Sequence, residues 1–472
     1  MTTARRGPFS PLLRHHRVRA GLSQEALAER ARVSARAISA LERGVNTRPQ
    51  LETVRRLATA LELDPNGRAA LLAAARPDAA PPAPPPTGPP TATRYAPLPT
   101  PPAPLLGRDA ELARLAALLG DPARRLLTLV GPGGIGKTRL AVELAATRRG
   151  DFADGTAFVD LAAIRDPDLV PPAIADALQL HEIGGQPLPD RLKDARRDRH
   201  LLLLLDNFEQ VLDAAPLVAD LLSACARLTV LATSRAPLRL RGEREFPVPP
   251  LALPDPAHLP APDAVAAYPA VALFRERARA VRPDFALTAE NTPTVVAICA
   301  RLDGLPLALE LAATRLKSLS PGALLARLDK RLPLLTGGAR DLPARQRTLR
   351  DTIAWSEGLL APEDRAFFRA LAVFAGGGPL TAIEAICHPP AGATPLPGGV
   401  LLDRLGILVD QSLLRQIAPD RDEPRFAMLE TIREYATERL AASGEMATYQ
   451  DAHAAYFLVL TEAAEPELQG AG

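Results

Sequence analysis

Residues 131–138 read Gly-Pro-Gly-Gly-Ile-Gly-Lys-Thr, directly behind the apolar run Leu126–Val130 and ahead of residues 139–146, whose composition suits a helix. Glycines at this spacing let successive backbone N–H groups curl around an anion, and the helix that follows adds its positive N-terminal end. Such a loop works only between a buried strand and a helix, so it commits the surrounding chain to a layered α/β arrangement. Gly131, Pro132, Gly133, Gly134, Ile135 and Gly136 form the curl, and Arg139 follows it. Lys137 would neutralise β- and γ-phosphates, and the Thr138 hydroxyl would sit on Mg²⁺. A nucleoside triphosphate is the expected ligand.

Two further apolar runs end in polar chemistry. Residues 200–205 close with five leucines before Asp206, and residues 228–232 lead into Thr233-Ser234-Arg235. A buried strand that aims one acid at a magnesium shell has this form, so Asp206 joins Thr138 as a metal candidate. Arg235 is placed to touch a γ-phosphate. The residue after Asp206 is Asn207, and the next carboxylate is Glu209, so hydrolysis is expected to be slow. Lys137, Asp206, Glu209 and Arg235 form the candidate catalytic set. Strands alternating with helices, with polar groups at their C-terminal ends, suit a doubly wound parallel sheet.

Upstream, almost every second residue from 77 to 104 is proline or its neighbour in a Pro-rich run, which suits an extended spacer and no packed element. Residues 1–76, before it, carry 14 arginines against 6 acidic residues, a net of +8, and the remainder of the chain is net negative. A basic module on an acidic body points to nucleic acid. Ser23 opens one short helical pattern. After a tight turn, Ser34 caps a second that ends at Gly44. Two such helices form a helix-turn-helix whose second member enters the major groove. The alternative is a helical protein-interaction module.

Cys225, Cys299 and Cys387 lie far apart in apolar surroundings, with no metal-ligand spacing, as expected in a reducing cytoplasm. No apolar run is long enough to span a membrane. Residues 265–335 read as mostly helical. Residues 345–440 read as helices with a hairpin around 415–428, and residues 445–472 read as the start of another helix pair.

The stretch GLSQEALAERARVSARAISALERG closely resembles the XRE/Cro-type DNA-binding family. The resemblance implies that Gln24 contacts a phosphate, that Ala35, Arg36 and Ala40 face bases, that Arg43 binds backbone, and that Ser34 belongs to the same DNA-binding set. Of these, Arg36 is the strong base reader, suited to guanine. Further on, Leu-Gly-Arg (106–108), GPGGIGKT, LLLLLDNFE, ATSR, GLPLALELAA and FAMLETIREYA are similar in order and spacing to the NB-ARC class of STAND ATPases. That resemblance implies ATP/ADP and Mg²⁺ as ligands, with Gly107 and Arg108 near the adenine and ribose and Pro306 shaping the adenine pocket. The class's Met-His-Asp motif falls on Met428-Leu429-Glu430. Leu429 cannot donate to a phosphate, and Glu430 is the remaining candidate there. A tetratricopeptide array usually follows in such regulators, and no period of roughly 34 residues is visible here.

The expected chain is multidomain. An all-α helix-turn-helix head (1–76) is followed by the Pro-rich linker (77–104) and an α/β P-loop nucleotide-binding domain with a doubly wound parallel sheet (105–255). A helical bundle (256–340), a winged-helix domain (341–445) and the start of a helical region (446–472) complete it. The expected function is an ATP/ADP-switched transcriptional regulator that binds double-stranded DNA and self-associates with ATP, away from membranes. A signalling or defence ATPase whose N-terminal helices recruit a protein effector stays open, as does a scaffold that never hydrolyses its nucleotide.

Overall fold

The computed structural model describes residues 9–20, 22–31, 33–43, 51–61, 63, 67, 71, 74–75, 95–180, 188–338, 347–387, 398–417 and 423–469. The chain divides into two compact units, Met1–Thr91 and Ala92–Gly472, with the break inside the Pro-rich stretch. Most of that stretch, residues 76–94, lies outside the described residues.

The first unit is helical, with helices Phe9–Arg19, Gln24–Ala31, Ala35–Glu42 and Leu51–Ala60. Its core is formed by Phe9, Leu13, Leu27, Ile38, Leu41, Val54 and Leu57. Ser23 and Ser34 each accept a backbone N–H from three residues on, satisfying amides that a helix start leaves without partners.

The second unit is built on a five-stranded parallel sheet. Its strands are β1 (Leu126–Val130), β2 (Thr156–Asp160), β3 (Leu201–Asp206), β4 (Leu228–Ser234) and β5 (Glu243–Pro247), in the order β2-β3-β4-β1-β5. The five leucines of β3 are buried because both faces of the sheet are covered. Leu201, Leu203 and Leu205 pack with the helices Val170–Ala177 and Ala215–Ala224, whereas Leu202 and Leu204 pack toward Asp109–Leu119 and Lys137–Thr147. The sheet order sets β4 between the strand that leads into the glycine loop and the strand that ends at Asp206. The C-terminal ends of all three therefore meet along one edge, where open α/β sheets hold ligands.

Helices follow the sheet: Pro262–Ala266, Pro269–Val281, Thr292–Arg301, Pro306–Thr314 and Pro321–Leu325. Each carries proline in its first turn, where no N–H is needed and the fixed φ favours the helix. Next come Leu349–Gly358, Pro362–Ala370, Leu380–Ile386 and Gly398–Asp410. A small antiparallel sheet accompanies them, with β6 (Gly378–Pro379), β7 (Arg415–Ile417) and β8 (Arg425–Ala427) in the order β6-β8-β7. Glu430–Ser443 and Met446–Gln469 close the described chain; the last segment is one 24-residue helix. Among the described residues no helix is long and apolar enough to cross a membrane, no cluster of side chains is arranged to hold a metal through His, Cys and acids alone, and the three cysteines are free and buried.

Candidate phosphate-binding site

The glycine loop lies between β1 and the helix Lys137–Thr147, as its sequence demands. Gly134 and Gly136 take left-handed φ of +80° and +97°, which glycine adopts without strain. The loop is also tightly covered. A Cβ on Gly134 would stand 2.7 Å from Leu307 Cβ, and one on Gly133 would stand 2.3 Å from Thr352 Cγ2. The Leu307 N–H donates to the Gly134 carbonyl at 3.1 Å, so the helix beginning at Pro306 is fastened to the loop by its first turn.

Inside this enclosure the charges are buried. Lys137 Nζ donates to the carbonyls of Gly131 (2.7 Å) and Pro132 (3.2 Å). Burial pulls its pKa down to about 8, against the opposing pull of Glu209 and Asp206. Thr138 Oγ1 donates to Asp206 Oδ1 at 2.8 Å, and Thr233 Oγ1 donates to the same oxygen at 2.5 Å. The Asn207 side-chain amide donates to Asp206 Oδ2 at 2.8 Å. Burial pushes the Asp206 carboxyl up to about 6 in spite of those donors. A buried ammonium held only by carbonyls, beside a buried acid bonded to a threonine hydroxyl, fits a phosphate with a bound divalent cation. Lys137 and the loop amides can take the phosphate oxygens. Thr138 and Asp206 can take the metal or its water.

Arg235 follows β4 and is buried. Its Nε donates to Glu209 Oε1 at 3.1 Å, and its Nη1 donates to the Thr352 carbonyl at 2.9 Å and to Ser356 Oγ. Glu209 Oε2 is buried with no hydrogen-bond partner among the described residues. Lys137, Asp206, Glu209 and Arg235 are thus brought together.

The remaining candidates each have protein partners or neighbours of their own. Arg108 is buried and spends its guanidinium on the loop's own scaffold, donating to the Ile135 carbonyl at 3.1 Å and to Glu111 at 3.0 Å. Gly107, at φ +64°, packs against Pro269. Arg139 points to the Ala103 carbonyl at 2.5 Å, tying the chain that enters the unit to the first turn after the loop. Pro306 stands 4.0 Å from where a Gly136 Cβ would be. Glu430 pairs with Arg433 in its own helix, and Leu429 is buried. Asp303 contributes here without any local signal. Its carboxylate accepts the N–H groups of Glu430 (3.2 Å) and Thr431 (2.9 Å), capping the helix Glu430–Ser443 from 127 residues away. Thr233, Thr352 and Ser356 are further participants. Of these, only Thr233 left a trace in the sequence, as a polar residue in an apolar strand.

In the first unit, Ala35, Arg36 and Arg43 are exposed and Ala40 is half-buried on or beside the helix Ala35–Glu42. Gln24 is turned to Glu42 at 2.6 Å, and Glu42 also pairs with Arg17 at 2.6 Å. The expected phosphate donor is therefore part of a polar network that braces the helix.

Residues 9–71 match the family described as Helix-turn-helix domain. Over 341 residues the chain is 40% identical to Uncharacterized protein Rv0894 of Mycobacterium tuberculosis, covering 72% of this chain and 82% of that one. It is 41% identical over 348 residues to Putative HTH-type transcriptional regulator Rv0890c of the same organism, covering 73% of this chain. It is 30% identical over 427 residues to Regulatory protein AfsR of Streptomyces coelicolor, covering 85% of this chain. The chain spans 37% and 38% of the length of those two regulators. Among solved structures, a Signal Transduction ATPase with Numerous Domains protein with a tetratricopeptide repeat sensor, PH0952 from Pyrococcus horikoshii, aligns at a TM-score of 0.30 and 15% identity, covering 75% of this chain and 45% of that one.

Proposed function

The chain belongs to the family of the mycobacterial protein Rv0894, and we propose that it is a nucleotide-switched transcriptional regulator. One observation carries the reading. Lys137, the Thr138–Asp206 pair and Arg235 converge on one glycine loop, and that loop is covered by helices from two later segments of the chain. A ligand bound there is sensed by every segment that touches it.

The loop amides and Lys137 hold the phosphates of ATP or ADP, Thr138 and Asp206 hold Mg²⁺, and Pro306 with the start of its helix closes the site. The bound cation supplies charge neutralisation of the phosphates. The order of helices and strands from Pro362 to Ala427 supports a winged helix over residues 341–445, with a helical bundle over 256–340 and the nucleotide domain over 105–255. The Met-Leu-Glu segment gives the closed form no imidazole for a phosphate, so its closure depends on Arg235, Thr352 and the Asp303 cap. When the closed form opens with ATP, chains associate, and several heads are brought to one DNA. Linking heads raises effective concentration enough to convert weak single contacts into firm binding. Arg36 reads bases and Arg43 grips backbone. The regulator reading is favoured over recruitment of a protein effector by the exposed arginines of the recognition helix and the +8 charge of residues 1–76.

Titration calorimetry with Mg-ATP and with ADP tests the premise. Wild type should bind both, and Lys137→Ala should lose most of its affinity for either. An unchanged affinity in Lys137→Ala would displace the site from this loop.

A further inference from the structure

We propose that Ser356 is a positioning residue that parks Arg235 away from the phosphates, so that a terminal phosphate and the C-terminal helices compete for one guanidinium. The proposal rests on the nucleotide reading above and adds its means of regulation.

The geometry shows what the competition involves. Arg235 stands beside the loop: a Cβ on Gly133 would lie 3.0 Å from its Nη2. Its Nε and Nη1 donors, however, are directed at Glu209, the Thr352 carbonyl and Ser356 Oγ. Thr352 and Ser356 are one turn apart on the helix Leu349–Gly358, which belongs to the C-terminal part of the unit. The same stretch of backbone is stapled twice more to that part. Ser412 Oγ donates to the Arg235 carbonyl at 2.8 Å, and Arg239 pairs with Asp410 at 2.5 Å.

Swinging the guanidinium to a phosphate would leave the Thr352 carbonyl and the Ser356 hydroxyl without it in a buried junction. Lost partners for buried polar groups are costly, which favours departure of the helix. The same movement unpairs Glu209, whose second oxygen is already without a partner among the described residues. A diphosphate has no terminal phosphate to offer, so it leaves Arg235 parked. Phosphate sensing and helix release are therefore one event at one side chain.

The protein carries its own reporter. Trp355, its single tryptophan, precedes Ser356 on that helix, and the Arg165 guanidinium of the α/β body lies 5.1 Å from its ring centre. Helix departure breaks this contact and changes tryptophan emission.

The test uses the full chain, titrated with a non-hydrolysable ATP analogue plus Mg²⁺ and separately with ADP, with both midpoints taken from calorimetry and helix departure followed by Trp355 emission, which should change with the analogue and not with ADP. Ser356→Ala should lower the analogue midpoint by about tenfold, the scale of one hydrogen bond to a charged group, and leave the ADP midpoint in place. Arg235→Lys keeps the charge but cannot span Glu209 and Ser356 together, and should bring the two midpoints close to each other. Equal shifts of both midpoints in Ser356→Ala, or no shift of either, would overturn the parking role, as would wild-type discrimination in Arg235→Lys. Calorimetry on the same wild-type sample separates the two failures. No heat with either nucleotide removes the nucleotide reading itself, whereas firm binding with an unmoved Ser356→Ala removes only the parking of Arg235.

Discussion

Replacing Asp206 by asparagine should stabilise the nucleotide-free protein while weakening its hold on Mg-ATP. Burial moves this carboxyl from 3.8 to about 6. At about 1.4 kcal/mol per pH unit, holding it ionised in the folded state costs about 3 kcal/mol above pH 6. The folded pKa lies above the unfolded one, so the group's stabilising contribution is complete below about pH 4 and is lost as pH rises through about 6. Asparagine does not ionise. Its Oδ1 can still accept from Thr138 and Thr233, but the Asn207 amide loses its acceptor, so the expected gain at pH 7.5 is about 1–3 kcal/mol. Thermal unfolding in the presence of a chelator should show a midpoint several degrees higher at pH 7.5, with the advantage vanishing near pH 4. Calorimetry should show Mg-ATP binding reduced more than ADP binding. An Asp206→Asn chain that is less stable at pH 7.5, or whose advantage is the same at both pH values, would refute the view that this charge is kept for a metal at the expense of stability.

Gly133→Ala should cost about 1–3 kcal/mol, because its Cβ would overlap Thr352 Cγ2, and Thr352→Ser should recover most of that loss; a denaturation double-mutant cycle with no coupling would contradict the packing. Asp303→Ala should destabilise by about 2–4 kcal/mol, since it removes the carboxylate that caps Glu430 and Thr431 and places alanine at a left-handed φ of +55°. Asp303→Asn, which tolerates that φ and keeps one acceptor, should lose less in the same denaturant series. Arg36→Ala should weaken binding to a selected duplex by about 1–3 kcal/mol and relax one base position, whereas Arg43→Ala should weaken all sequences alike; selection from random DNA distinguishes the two.

Local chemistry made part of this architecture readable. The glycine loop needs its strand and helix on either side, and five leucines before an acid can hardly be anything but a strand buried on both faces. The two serine caps of the first unit announce themselves in the same way. Strands β2 and β5 left weaker traces, because Thr156–Asp160 and Glu243–Pro247 are short and mixed in polarity. The clasp on Arg235 was hidden for a different reason. Thr352 and Ser356 lie 117 and 121 residues away, and nothing in their own neighbourhoods requires an arginine. Sequence patterns are also poor at choosing among acceptors within reach of a long polar side chain. Arg108 went to the Ile135 carbonyl and Gln24 to Glu42, each tying its own segment to a neighbouring element.

Nucleotide control of DNA occupancy is tested most directly by the affinity of the full chain for one selected duplex, measured at fixed salt in excess ADP and in excess non-hydrolysable ATP analogue. Binding at least about tenfold tighter with the analogue is expected, as a differential of 1.4 kcal/mol between two states gives, and Lys137→Ala should abolish the difference. The same affinity in both nucleotides would contradict a switch at the glycine loop.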